Sequence, residues 1–202
     1  MTPQEIITDA RGILGDTDTA APRNSDTELL RAVHDGLQEI AQFKPSAFSD
    51  LYPFTCVAGV CEQVVDLDDA NSLLDVVSIH NGAGLTPFDR ATMDMFRPSW
   101  RTDAPGPAQQ WAPVESDAMR FYVYPAPLSG QVVDLRVARN PGTYGLADQI
   151  LYLPESYKPA LVDYVIYKAE LKDDESVLTQ RSAAMYMAFL KKIGVPNASG
   201  AQ

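Results

Sequence analysis

Apolar residues recur at helical spacing near both ends of this chain and switch to a strand-like rhythm in its middle. Ile6, Ile7, Ala10, Ile13 and Leu14 make one face of a first helix. Thr2 is placed to cap it, Pro3 to fill the first helical position and Glu5 to close a capping box, with Gly15 as the stop. A second box, Ser25 with Glu28, opens a stronger helix. That helix runs through Leu29, Leu30, Val33, Leu37, Ile40 and Ala41 and ends before Pro45. The helical period returns near Leu153. Ala160, Leu161, Tyr164 and Val165 predict one helix, and Val177, Leu178, Met185, Ala188 and Phe189 predict another. The acidic elbow Asp173-Asp174-Glu175 separates them and suits the first turn of the second.

Between Tyr52 and this helical pair the pattern is that of strands. Residues 53–67 are rich in β-formers and read as a hairpin turned at Ala58-Gly59. Residues 73–80 form an apolar strand turned at Asn81-Gly82 into residues 85–88. Asp89 caps a short helix through Met95 that Pro98 ends. Residues 119–124 and 131–138 read as a further antiparallel pair. The expected fold is therefore α+β: a helical bundle formed from the N- and C-terminal segments, carrying an inserted antiparallel β-rich domain. The expected boundaries are 1–48 for the first helices, 49–150 for the insertion, 151–194 for the closing helices and 195–202 for a flexible tail. In the expected core, Leu161, Tyr164, Val165, Val177, Met185 and Phe189 pack against Leu30, Val33, Leu37 and Ile40.

With 202 residues there is room for one large or two small folding units. No apolar run approaches the roughly 20 residues of a membrane span, and the acidic, amphipathic start does not read as a signal peptide. No membrane partner is expected. The formal charge is −11, and residues 1–100 carry 16 Asp/Glu against 6 Lys/Arg. That balance argues against gripping nucleic acid, which needs clustered cations to displace counterions. It leaves two readings, plain solubility or an acidic wall past which DNA slides.

Catalytic and metal chemistry is sparse. His34 and His80 lie far apart in sequence and read as polar surface or edge residues. There is no HExxH, CxxC, phosphate loop or GxGxxG. The run from Asp66 to Asn71 has calcium-like acid spacing but lacks the turn glycine and distal glutamate. Cys56 and Cys61 would sit opposite one another in the hairpin, as free half-buried thiols or as a cross-strand disulfide. No enzymatic activity, metal or cofactor is expected.

The order of elements carries more than any single motif. A "RFYVYPAP" strand followed by "LPESYKPALVDYVIYKAELKDD", after "FTCVAGVCEQVVDL" and "SLLDVVSIHNGAGLTPFDRATMDMFRPSW", resembles the head-to-tail adaptor (connector) proteins of tailed bacteriophages. The resemblance spans most of the chain. It implies a virion protein assembled in the host cytoplasm. It also implies a homo-oligomeric ring, commonly of twelve copies, joining the portal protein to the tail nozzle or another tail protein. DNA would pass through the ring without specific binding.

Three sets of residues follow as candidates. Asp9, Asp16, Asp18, Asp35 and Glu39, on or beside the first two helices, are candidates to line the DNA channel. Trp100 and Trp111 lie in a proline-rich stretch, residues 97–113, and either pin a loop to the core or serve at a subunit contact. Ile193, Val195, Pro196, Asn197, Ala198, Ser199, Gly200, Ala201 and Gln202 form a small, uncharged tail. It is read as a portal-docking segment or an idle terminus. Two other functions stay open, a monomeric β-rich ligand- or carbohydrate-binding module and a neck-completion or stopper protein of the same channel.

Overall fold

A computed structural model describes residues 1–18, 21–171 and 176–195. The chain combines helices and sheets and divides into two compact units. Residues 1–48 and 141–202 make one, and residues 49–140 make the other.

In the helical unit both capping boxes form. Thr2 and Glu5 start α1 (Pro3–Leu14), and Ser25 and Glu28 start α2 (Asp26–Phe43). Gly15 ends α1 in the left-handed region, φ 70°, where a side chain would be strained. Ile6, Ile7 and Ala10 are buried, but Ile13 points to solvent, so the inward face of α1 is narrower than its spacing suggests. On α2, Leu29 is fully buried as Leu37 is, with Leu30 only packed along the edge.

The segment from residue 155 to 170 is helical, with α4 (Lys158–Glu170) as its main element. Nine of its thirteen residues are buried, because α1, α2 and α5 (Ser176–Ile193) all pack against it. The α2–α4 approach depends on Gly36: a Cβ there would stand 2.9 Å from the Tyr164 ring, inside normal van der Waals contact. Tyr164, Tyr167, Tyr186 and Phe189 stack where α4 meets α5, with 4.9 Å between the Tyr164 and Phe189 rings. Two buried acids of α4 are met by cations of α5, Asp163 by Lys192 at 2.5 Å and Glu170 by Arg181 at 2.9 Å. Met185 is packed against this core, while the side chain of Val177 and the elbow at 173–175 lie outside what is described.

Residues 141–150, expected in the β-rich insertion, group with the helices instead. Tyr144 and Ile150 are buried in the helical core, and Gln4 donates its amide to Leu146 O at 2.9 Å. His34, expected at a surface or edge, is half-buried, with Nε2 3.0 Å from Tyr144 O and 3.1 Å from Tyr144 N.

The second unit holds two sheets. One is β1 (Ser49–Thr55), β7 (Val132–Arg139) and β3 (Ala70–Ile79) in the order β1-β7-β3, all antiparallel. The other is β2 (Glu62–Val64), β6 (Asp117–Tyr124), β5 (Gln110–Val114) and β4 (Thr86–Pro87) in the order β2-β6-β5-β4. It is mixed, since β4 runs parallel to β5. Val76, Val133, Leu135 and Val137 from the first sheet share a core with Trp111, Phe121 and Val123 from the second.

Two expected strand pairs are therefore corrected. β1 and β2 are not a hairpin, because the chain leaves one sheet at Thr55 and enters the other at Glu62. The link between them is held by the buried side chain of Gln63. Its oxygen accepts from Val57 N at 2.7 Å and its nitrogen donates to Val57 O and Val60 O. Cys56 and Cys61 are free thiols in separate apolar clusters. Burial pushes the Cys56 thiol up to about 11, which keeps it protonated and unreactive at neutral pH. Nor do β6 and β7 pair with each other, since each lies inside a different sheet with strands on both sides. The turn at Asn81 does form, with φ 55°, but after one bridge, Ser78 to Gly84, the chain crosses to run beside β5.

Phe189→Ala removes a fully buried ring from the seam that joins both ends of the chain. It should lower the unfolding free energy by about 3–5 kcal/mol in urea titration. An unchanged midpoint would mean that α5 is not packed as described.

Candidate functional site

The acidic candidates all lie in the helical unit. Asp9 is exposed on α1 and pairs with Lys158 at 2.8 Å. Asp35, on α2, pairs with Lys168 at 2.8 Å, and Glu39 accepts from the Tyr186 hydroxyl at 3.1 Å. Three of the five thus fasten α1 and α2 to α4 and α5. Asp18 is exposed on the α1–α2 connection.

Asp16 is buried, and its role is structural. It accepts from the amides of Arg23 and Asn24 at 2.9 and 3.2 Å and from Arg11 at 2.7 Å. Burial alone would raise its carboxyl. The two amides and the Arg11 guanidinium outweigh that and hold it below the usual carboxylate range. It is therefore removed as a free channel-facing acid. Sequence reasoning missed this because an acid just past a helix glycine looks like an ordinary loop residue. The only local signal was Arg11 five residues earlier.

Near Glu39 and Asp35, burial and then those two carboxylates push the Tyr164 phenol up, and Tyr186 shifts the same way through burial and Glu39. Both phenols stay neutral, so Tyr186 acts as a hydrogen-bond donor to Glu39 across the helix seam.

The tryptophans are internal. Trp100 is fully buried among Phe88, Met93, Tyr122 and Tyr124, with its indole N–H donating to Asp94 at 2.8 Å. Arg101 covers its face at 4.2 Å and pairs with Asp94 at 2.6 Å. Trp111 sits on β5 rather than on a loop and is buried in the two-sheet core. Their rings are filled by partners of the same chain, which leaves neither aromatic face free for a subunit contact or a sugar.

Ile193 and Val195 also belong to the fold. Ile193 is buried at the end of α5, and Val195 packs on the same core. Gly194 turns the helix at φ 82°, with Val195 N bonded to Leu190 O and Gly194 N to Lys191 O, the paired closure of a Schellman end. Neither apolar residue is free to dock elsewhere. Pro196, Asn197, Ala198, Ser199, Gly200, Ala201 and Gln202 lie outside the described residues.

Ser78, His80 and Asp134 come together on the β1-β7-β3 sheet, but their order is not that of a nucleophile and base. Asp134 holds both others, Ser78 at 3.2 Å and His80 Nδ1 at 2.7 Å, and the hydroxyl bonds the carboxylate rather than the imidazole. One acid of the calcium-like run likewise has structural work: Asp69, with Asp50, clasps the buried Arg139 at 2.5 and 3.2 Å. Among the described residues no three His, Cys, Asp or Glu side chains gather as a metal-binding group, and no helix is long and apolar enough to cross a membrane.

What the geometry offers is a scaffold whose helices are joined by ion pairs. A family model described as SU10 adaptor protein matches residues 1–202. The chain belongs to the SU10 adaptor protein family. This is a family of phage head-to-tail adaptors, so the chain is a structural component of the virion that works among other head and tail proteins. Comparison with curated proteins gives no match.

Asp16→Asn removes a charge that the fold prefers ionised. A carboxyl with a lowered folded pKa stabilises above its unfolded value and loses that contribution as pH falls through the folded one. The variant should unfold at lower urea than the wild type at neutral pH. The gap should close as the pH drops below the ordinary carboxylate range. A gap of constant size across pH would show that Asp16 acts by shape alone.

Proposed function

We propose that this adaptor assembles as a closed homo-oligomeric ring that joins the portal to the tail and surrounds the DNA path. The observation that carries the reading is the family match over residues 1–202, together with the order of elements. In this reading α1, α2, α4 and α5 are a bundle built from both chain ends, and the β-rich unit is its insertion. The ring is heterologous, each copy offering one surface to the next.

Charge supports the DNA passage more than single residues do. The helical unit holds 15 Asp/Glu against 10 Lys/Arg, and the β-rich unit 12 against 6. Both are net negative, and a negative wall repels phosphate at distances set by the Debye length, about 8 Å at physiological salt. Asp9, Asp18, Asp35 and Glu39 contribute to that field even where they are paired. The chain beyond Val195, small and uncharged, docks on portal subunits once they supply contacts.

Electron microscopy of the chain mixed with its portal protein should show rings seated on the portal, and their absence would overturn the reading. Deleting residues 196–202 should leave the unfolding midpoint unchanged, since the helix closure at Gly194 is upstream, yet abolish portal association in light scattering. Portal binding that survives the deletion would place the anchor elsewhere. Double-stranded DNA should not bind the wild-type chain at physiological salt, and measurable retention in a filter assay would rule out a repelling channel.

A further inference from the structure

The short helix α3 (Arg90–Phe96) has no buried residue, yet it is firmly built. Asp89 caps its first turn, and Asp94 ties its middle to Trp100 and Arg101. This rigid mount presents Met95 and Phe96, which are 73% and 80% exposed. Met, Phe and the adjoining Arg97 are residue types enriched in the cores of protein interfaces.

The outer face of α1 in the helical unit has the opposite character. It carries Gly12 and the exposed Ile13 between two shallow grooves of about 450 and 550 Å³. Glycine inside a helix is costly relative to alanine. At Gly36 the reason is visible, since Tyr164 fills the space. At Gly12 a Cβ would meet nothing within 4 Å. Among the described residues nothing requires this glycine, which fits a body from outside lying close against the helix.

Charge adds a second, independent match. Beside Phe96, the more exposed member of the ion pair is the cation: Arg97 is 55% exposed and its partner Asp103 23%. At the groove lined by Arg11, Gly12 and Asp26 the more exposed member is the acid: Asp26 is 55% exposed and its partner Arg11 16%.

We propose that Met95 and Phe96 of one copy seat on the α1 groove at Gly12 and Ile13 of a second copy, with Arg97 reaching the Asp26 rim. The contact is head-to-tail, since knob and groove are different surfaces of one chain, and it can therefore propagate around a ring. It rests on the ring reading and names the surfaces that make the ring.

The test compares wild type, Phe96→Ser and Gly12→Leu by light scattering over a concentration series, with and without portal protein. Phe96 is exposed and Gly12 has open space above it, so both variants should unfold at or above the wild-type midpoint. Each should raise the concentration for half-assembly by on the order of tenfold or more, as loss of a central interface residue does. A chain with Phe96→Cys mixed with a chain carrying Gly12→Cys should form a mixed disulfide dimer on mild oxidation, since Cys56 and Cys61 are buried. Wild-type rings with both variants assembling equally well would overturn this contact and leave the ring. Loss of assembly in Phe96→Ser alone, with no cross-link to position 12, would remove α1 as the seat and overturn the proposal. A wild type that stays a single chain throughout would overturn the ring and this contact together.

Discussion

Everything in the helical unit depends on α4 being surrounded. A helix with nine of thirteen residues buried has no solvent face to hold it in place. Its position is fixed by α1, α2 and α5, and theirs by it. The Gly36–Tyr164 approach brings α2 in close, and the ion pairs at Asp163 and Glu170 fasten α5. In each pair the acid is buried and the cation about half exposed, so the net gain is small, while removing the cation would leave a buried carboxylate without its partner. Here they fix the direction and register of α5 along α4 more than they lower its energy.

The β-rich unit solves a different problem. Its chain changes sheet at four places, after Thr55, after Val64, before Thr86 and after Tyr124. Each crossing would leave backbone groups without ladder partners. At the first crossing the amide of Gln63 supplies those bonds from inside. Two sheets then close over a shared apolar layer.

The helices were legible because their signals are local. A capping box, a glycine stop and a 3.6-residue apolar period all lie within a few positions of one another, and α1 and α2 form with both boxes intact. Strand existence was legible for the same reason, but partnership was not. Residues 53–67 alternate equally well whether β1 and β2 pair with each other or with β7 and β6. The link from 141 to 150 looked like part of the insertion because it is rich in turn residues. Only the contacts of Tyr144 and Ile150 assign it to the helices. Of the candidate sites, Asp16 and Ile193 misled because polarity or position near a terminus suggested exposure, while the loop closing back from Arg23 and Asn24 had claimed Asp16 and the helical core had claimed Ile193.

One consequence of the shared helical core concerns synthesis. Leu29, Leu37 and Ile40 on α2 are covered by Leu161, Val165 and Phe189, which leave the ribosome more than a hundred residues later. The β-rich unit, contiguous in sequence, can close while the ribosome is still making α4. Throughout that interval the first two helices display an uncovered apolar face. The nascent chain is therefore most vulnerable to aggregation at its N-terminal end, and a host chaperone would find its binding surface on α1 and α2.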